Sequence, residues 1–186
     1  EHVSIASLGE DIFKQTIVIN GVSKSYAMTG WRIGYTAGPT EVIKAMSSLQ
    51  SQVASGSNSI AQYAAEEALR SPKGPEEIER MHKAYDERRR HIVSRLNAID
   101  GLKCVMPKGA FYVMVDMSAL IGKHLGDRKI AGSMDFADML LENANVALTP
   151  GTAFCAEGYC RISYATSMEQ IDKGVDRIEH FVNSLV

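Results

Sequence analysis

The segment from Asn20 to Gly34 carries side chains suited to reaction with an aldehyde and to binding of a phosphate. Lys24 follows a short apolar run in small and apolar company, and Arg32 stands eight residues later. Apolar surroundings and a neighbouring arginine both disfavour the charged form of a lysine, and the free amine is a nucleophile toward aldehydes. The hydroxyl of Ser23 and the guanidinium of Arg32 are suitable partners for a phosphate group. A single loop lysine is usually a solvated charge, so the inference depends on this combination.

Two predicted strands and two predicted helices must position these side chains. The β-branched run Thr16 to Gly21 ends in Asn-Gly and predicts a buried strand, and the segment Trp31 to Gly38 predicts a second one. Two helices should follow, with the side chains of Thr40 and Ser59 as their N-caps. Two strands alone cannot hide both faces of an apolar sheet. Residues 1–72 are therefore expected to be the incomplete C-terminal end of a larger sheet domain.

A second domain is predicted to follow the segment 71–75, which holds two of the five prolines. The longest helical pattern runs from Pro75 until Gly101 ends it. Shorter strands and helices then alternate along the chain, and we expect residues 73–186 to form a small α+β domain. The predicted elements are strands at Phe111–Asp116, Val146–Thr149 and Tyr159–Tyr164, and helices at Met134–Asn143 and Met168–Leu185.

Composition excludes several classes of protein. The chain has 186 residues with 20 Lys and Arg against 22 Asp and Glu, and this balance argues against a bare nucleic-acid binder. No apolar run approaches the roughly 18 residues that a membrane span needs. The three cysteines do not suggest a disulfide framework, and the five scattered histidines give no metal-ligand spacing. We expect a cytoplasmic globular protein without a metal centre.

Four motifs along the chain resemble those of class I aminotransferases of fold type I, which use pyridoxal phosphate. The pattern of a small residue, lysine, a spacer and Gly-x-Arg-aliphatic-Gly is present at residues 23–34 and resembles the family's cofactor-attachment site. A pattern with this many defined positions is far more specific than a glycine-rich loop alone. The other three motifs follow in the family's order, at Pro107–Val113, Pro150–Phe154 and Tyr159–Ala165. The resemblance covers essentially the whole chain and is to the C-terminal portion of the enzyme.

This resemblance implies a role for each candidate site residue. Lys24 would bind pyridoxal phosphate covalently and, once substrate displaces it, would carry a proton to and from the substrate α-carbon. Arg32 would hold the cofactor phosphate, with Ser23 as a further contact. Arg161 would bind the substrate α-carboxylate through its guanidinium fork, and Phe111 would lie near the site.

The resemblance also implies a substrate class. The segment Ser51 to Ala65 is most like that of the bacterial aspartate aminotransferases, which move an amino group from an L-amino acid to a 2-oxo acid such as 2-oxoglutarate. No arginine occurs between Arg32 and Arg70, so residues outside this chain would bind the distal carboxylate of a dicarboxylic substrate. The full-length enzyme would be a homodimer.

Some expected features depart from the family pattern. Some members carry a phosphate-binding serine three residues before the lysine, where this chain has Gly21. The acidic partner of the cofactor ring lies further upstream in the family than this chain extends, so we expect a fragment that is inactive in isolation. Two alternatives stay open: the non-catalytic sensing module of a transcriptional regulator, and a fold type I lyase or cyclase.

Overall fold

The computed structural model describes residues 2–186 and divides into two compact units, one up to Glu79 and one from Arg80 to Val186. The helices are α1 (Glu10–Gln15), α2 (Thr40–Ala54), α3 (Ser59–Arg70), α4 (Gly74–Asn97), α5 (Ser133–Ala144) and α6 (Met168–Asn183). The strands are β1 (Val18–Gly21), β2 (Gly34–Ala37), β3 (Lys103–Cys104), β4 (Tyr112–Asp116), β5 (His124–Leu125), β6 (Arg128–Lys129), β7 (Thr149–Pro150) and β8 (Tyr159–Ser163). The division falls inside α4, and the boundary at residue 72 stays a prediction. The mixed α/β class is confirmed.

The first unit contains one antiparallel hairpin, in which β1 pairs with β2 from Val18 opposite Ala37 to Gly21 opposite Gly34. Among the residues described, the first strand is exposed and not buried as predicted: Ile17 is 45% exposed and Ile19 is 78% exposed. Among the residues described, β2 is the single strand partner of β1, and a two-stranded sheet leaves its faces uncovered.

The two predicted N-caps of the first unit are also wrong. Thr40 is the first helical residue of α2, and Pro39 occupies the cap position before it. The cap of α3 is Asn58, whose Oδ1 accepts a hydrogen bond from the backbone N–H of Ala61 at 3.0 Å. Asn and Ser are about equally favoured at this position, so an Asn-Ser pair leaves the sequence ambiguous by one residue.

The second unit is built on a four-stranded antiparallel sheet in the order β3-β4-β8-β7. Alternation along β4 buries Val113 and Val115 and leaves its other side chains half-buried. The helices contribute their apolar faces to the same core. Its buried helical residues are Ile92, Val93 and Leu96 of α4, Phe136, Met139 and Leu140 of α5, and Ile171, Val175, Ile178, Phe181 and Val182 of α6.

The predicted strand Val146–Thr149 is displaced, since the strand there is Thr149–Pro150. Asn145 adopts the left-handed conformation that ends α5, and its N–H bonds back to the carbonyl of Leu141 at 3.1 Å. The N–H of Val146 then bonds to the carbonyl of Leu140 at 3.4 Å. The N–H groups of Asn145 and Val146 are thus bonded to the end of α5, so the N–H of Val146 is not available for pairing in a strand that begins there.

Substituting Gly151 is expected to destabilise the second unit severely. A Cβ on Gly151 would overlap the carbonyl oxygens of Ala156 and Tyr159, which are backbone atoms and cannot rotate away. We expect Gly151→Ala to lower the free energy of unfolding by about 3 kcal/mol or more. Denaturant titration followed by circular dichroism measures this change. Gly174→Ala is the matched control: it lies in α6 with no neighbour within 4 Å of an added Cβ, and it should stabilise the chain by up to about 1 kcal/mol. Equal effects of the two substitutions would contradict the prediction.

The contact between α4 and α6 is expected to weaken in acid. Nε2 of His91 lies 2.6 Å from Oδ1 of Asp172, and Nη1 of Arg95 donates to the same oxygen at 2.8 Å. These partners, His91 first, hold the pKa of Asp172 below its usual value of 3.8. A lowered pKa stabilises the fold above the unfolded-state value, and this contribution is lost as the pH falls through the folded-state pKa. Asp172→Asn should therefore be less stable than the wild type at neutral pH.

The difference between Asp172→Asn and the wild type should shrink as the pH falls below the usual carboxyl value of 3.8, and it should vanish below the lowered folded-state pKa, where the wild-type carboxylate is neutral too. Urea midpoints of both proteins between about pH 3 and pH 7 test this dependence. Because the group is exposed, we expect a small effect. A difference that is the same at every pH would show that the carboxylate charge does not contribute.

Of the helices formed by residues 2–186, none combines the length and the apolar character that crossing a membrane requires.

Candidate active site

The candidate lysine lies on a loop, residues 22–33, whose two ends are held together by a pair of glycines. Gly21 and Gly34 face each other at the end of the β1–β2 hairpin. A Cβ on Gly34 would lie 3.0 Å from the carbonyl oxygen of Asn20, and one on Gly21 would lie 3.2 Å from that of Ile33. The strands therefore approach closely because both positions lack a side chain. One loop thus carries three predicted site residues, Ser23, Lys24 and Arg32.

Two buried apolar side chains anchor this loop to α3. Val22 is 1% exposed and Met28 is 9% exposed, and both belong to a cluster with Ala65 of α3. Between them the backbone turns, with the N–H of Ala27 donating to the carbonyl of Lys24 at 3.1 Å. The side chain of Lys24 is exposed, so the expectation that it lies in apolar company is wrong for the described residues. The apolar side chains of the loop pack against the helix, and the lysine lies on the turn between them.

Arg32 holds a conformation that is uncommon for a residue with a side chain. Its φ and ψ are 50° and 48°, in the left-handed region, which costs a residue other than glycine about 1–2 kcal/mol. Its Nη1 donates to the carbonyl of Thr29 at 2.8 Å across the turn Thr29–Trp31. Strained backbone of this kind is concentrated at functional sites, where the surrounding structure holds it. A guanidinium has five N–H donors, so this bond leaves donors to bind an anion.

Arg161 lies in the second unit, in the middle of β8, with its guanidinium between two aromatic rings. Its Cζ is 4.2 Å from the centroid of the Tyr112 ring and 4.5 Å from that of the Phe154 ring. Its Nη2 is 3.5 Å from Oγ1 of Thr149 on the neighbouring strand. A guanidinium that stacks on aromatic faces keeps the N–H groups of its edge for a carboxylate.

A cavity of about 190 Å³ opens at this arginine. Tyr112, Thr149, Arg161 and Ser163 line it with polar atoms, and Ala147 and Leu148 complete the lining. Three of the four sequence motifs meet at Arg161, because Tyr112 belongs to the second motif, Phe154 to the third and Arg161 itself to the fourth. This arrangement suits a small carboxylate whose oxygens accept two hydrogen bonds from one guanidinium.

Tyr112 and Phe154 are not among the residues that the sequence predicts for this site, while Phe111 is expected near it. Phe111 lies one contact away from Arg161: its ring centroid is 4.4 Å from that of Tyr112, whose ring stacks on Arg161, and 6.3 Å from that of Tyr85. Strand alternation was the available signal for Tyr112. In the β4–β8 register, Arg161 pairs with Met114, so Tyr112 is its diagonal neighbour on the same face of the sheet.

The two buried cysteines do not offer a reactive thiolate. Burial raises the pKa of the Cys104 thiol to about 11 and that of Cys160 to about 12. Both thiols are thus protonated at neutral pH and behave as small apolar core residues. Cys155 is exposed, and all three cysteines are free thiols.

The fold is that of the fold type I aminotransferases. The family model for aminotransferases of class I and II matches residues 2–178, and the chain belongs to this family. The family's cofactor is pyridoxal phosphate. The resemblance and the fold class predicted from the motifs are both confirmed.

Individual relatives are similar over nearly the whole chain. The aspartate aminotransferase of Bacillus sp. (strain YM-2) is 47% identical over 182 residues, which are 98% of this chain and 45% of that protein. The crystal structure of the aspartate aminotransferase from Rhizobium meliloti superposes with a TM-score of 0.89 at 43% identity, covering 95% of this chain and 44% of that one. An aromatic aminotransferase from Pyrococcus horikoshii OT3 superposes with a TM-score of 0.85 at 40% identity, covering 98% and 46%. The chain thus spans less than half the length of these relatives.

Proposed function

We propose that this chain supplies the lysine-bearing portion of a pyridoxal-phosphate-dependent aminotransferase, which moves an amino group from an L-amino acid to a 2-oxo acid. The observation that carries the proposal is the loop 22–33, which presents an amine, a hydroxyl and a guanidinium between two closely approaching glycines. Arg161 and its two aromatic neighbours supply the second element, a site for a carboxylate.

The donor set of the loop fits the cofactor. Lys24 is an exposed residue whose primary amine is the group that reacts with the cofactor aldehyde, and the guanidinium of Arg32 and the hydroxyl of Ser23 suit its phosphate. When bound, pyridoxal phosphate supplies an electron sink that stabilises negative charge at the substrate α-carbon. Lys24 Nζ, once released, would take the proton from the α-carbon of the amino donor. It would later give a proton to the α-carbon of the amino acid that is formed from the 2-oxo acid.

The aromatic neighbours of Arg161 explain how it would orient the substrate. Its guanidinium is held in one plane by Tyr112 and Phe154, so a carboxylate bound to its edge has one preferred orientation. Orientation matters because the α C–H bond must point toward the acceptor of its proton. A lysine at position 161 would keep the charge but not this planar constraint.

Aspartate is the amino donor that we favour, with 2-oxoglutarate as acceptor. The aspartate aminotransferases of Bacillus sp. and Rhizobium meliloti support this preference, while the aromatic aminotransferase of Pyrococcus horikoshii marks the competing substrate class. We also propose that the working enzyme is a cytoplasmic homodimer, that residues outside this chain bind the distal carboxylate and the cofactor ring nitrogen, and that the chain alone has little activity.

Complementation tests this function directly. The chain would be co-expressed with the N-terminal part of the Bacillus sp. aspartate aminotransferase, the part that this chain does not match. We expect the purified complex, supplied with pyridoxal phosphate, to convert L-aspartate and 2-oxoglutarate to oxaloacetate and glutamate. L-phenylalanine in place of L-aspartate measures donor preference, and the Lys24→Ala chain is the negative control. A stable complex that releases another product, or none, would contradict the proposal.

A further inference from the structure

Ser133, the first residue of α5, is completely buried and lies at the centre of a hydrogen-bonded bridge. Its backbone N–H donates to Oε1 of Glu157 at 2.6 Å, and its hydroxyl donates to Oε2 of the same carboxylate at 3.3 Å. Its Oγ also accepts a hydrogen bond from the backbone N–H of Thr152 at 3.3 Å. The hydroxyl thus uses its one donor on Glu157 and one of its acceptor lone pairs on Thr152.

Glu157 is distant from α5 in the sequence, and its carboxylate caps the N-terminus of this helix by accepting the backbone N–H of Ser133. Gly132 precedes the helix and offers no capping side chain, and a Cβ there would lie 2.9 Å from Oε1 of Glu157. The N–H of Gly158 also donates to Oε1, at 3.0 Å. Hydrogen bonds from the backbone of Ser133 and Gly158 lower the pKa of Glu157, so its carboxylate is charged at neutral pH.

The bridge ends on the turn that carries Phe154. Thr152 and Phe154 both belong to the single 3₁₀ turn Gly151–Phe154, whose backbone folds back through the N–H of Ala156 to the carbonyl of Gly151 at 2.9 Å. A shift of Thr152 within so short a turn must move Phe154. The ring of Phe154 is one of the two that enclose the Arg161 guanidinium.

We propose that Ser133 and Glu157 are positioning residues for Arg161, acting through the Gly151–Phe154 turn. The bridge holds the turn against the start of α5, and the turn holds the Phe154 ring against the guanidinium. Neither residue contacts the arginine in this arrangement. Their consequence for substrate binding rests on the proposed function, in which Arg161 binds the α-carboxylate.

Arginine side-chain NMR on the full 186-residue chain tests the positioning without any need for activity. Stacked between two rings, the Nε–H and Cδ–H protons of Arg161 should be shifted upfield, and Arg161→Lys assigns their signals. We expect Ser133→Ala to move these signals toward the values of an exposed arginine. Ser167→Ala is the matched control, because it removes the capping serine of α6, whose Oγ accepts from the N–H of Gln170 at 3.3 Å, without touching the turn.

Glu157→Gln is the second variant in case Ser133→Ala fails to fold. Glu157 is exposed, and the glutamine amide that replaces its carboxylate keeps one acceptor oxygen. A smaller shift in the same direction is expected. In the complemented enzyme, Ser133→Ala should raise KM for both substrates about tenfold with a smaller change in kcat, since a misoriented carboxylate site weakens binding first.

Three outcomes are distinguishable. Arg161 signals that move in Ser133→Ala and not in Ser167→Ala support the positioning role. Arg161 signals that are the same in the wild type and in both bridge variants overturn it, whatever the melting temperatures. In the third outcome the Arg161 signals respond to Ser133→Ala, but the complemented enzyme shows no transamination. This outcome supports the positioning role and counts against the proposed function.

Discussion

Replacing Lys24 with alanine is expected to abolish attachment of pyridoxal phosphate to this chain. The wild-type chain, incubated with the cofactor and reduced with borohydride, should yield one main adduct, on the peptide that contains Lys24. The expectation follows from position: the lysine is exposed on a loop whose other polar groups, Ser23 and Arg32, suit the phosphate of the same molecule. An aldehyde held by its phosphate reacts as if at much higher concentration than one free in solution.

Peptide mass spectrometry locates the adduct, and Lys44→Ala is the control. Lys44 is an exposed lysine on α2 in the same unit, so its loss removes one amine of similar accessibility without touching the loop. We expect Lys44→Ala to keep the adduct and Lys24→Ala to lose nearly all of it. A main adduct on another lysine in the active complemented enzyme would overturn the assignment of Lys24. Scattered adducts on the isolated chain would indicate that the phosphate site needs the portion of the enzyme that this chain does not supply.

The second large effect is expected from Arg161→Lys, which keeps the positive charge. A lysine cannot form the two parallel hydrogen bonds of a guanidinium fork, and its ammonium gains less from lying between Tyr112 and Phe154. Loss of one charged hydrogen bond costs about 1.5–3 kcal/mol. We expect kcat/KM of the complemented enzyme for L-aspartate to fall about 100-fold, since each 1.4 kcal/mol is about tenfold in rate.

Arg128→Lys is the matched control for that substitution. Arg128 lies in the same unit on β6, is exposed and pairs with Glu142, so its conservative replacement should leave kcat/KM within about twofold. Initial rates at varied L-aspartate measure both variants. If Arg161→Lys behaves like Arg128→Lys, then Arg161 does not bind the substrate carboxylate.

Local sequence was sufficient where short-range chemistry decides the structure. The predicted strand Phe111–Asp116 differs from β4 by one residue, and the predicted helix Met168–Leu185 begins at the same residue as α6. The lysine loop was recognised in the same way, because each of its motif positions has a backbone or side-chain requirement of its own. Gly34, for example, lies where a Cβ would be 3.0 Å from the carbonyl oxygen of Asn20 on the opposite strand.

Local sequence failed where two neighbouring residues compete or where a distant contact decides. Asn58 and Ser59 are equally good caps, and the three-dimensional path of the chain selects Asn58. The apolar run at Val146 has a strand pattern, but the end of α5 uses its backbone first. Ile19 has the apolar, β-branched side chain of a typical buried strand residue, yet it is exposed here. Burial depends on which elements pack against the strand, and the local sequence does not specify them.

The sequence by itself determined the family, the attachment lysine as a candidate, and the presence of an arginine on a late strand, because these depend on residue types at set spacings. Only the tertiary structure decided what surrounds Arg161. The two enclosing rings come from β4 and from the Gly151–Phe154 turn, and the bridge behind that turn joins Ser133 to Glu157, 24 residues further along the chain. Such contacts join residues that are far apart in the sequence. They depend on strand register and on how a helix end meets a turn, and no local sequence pattern encodes either of these.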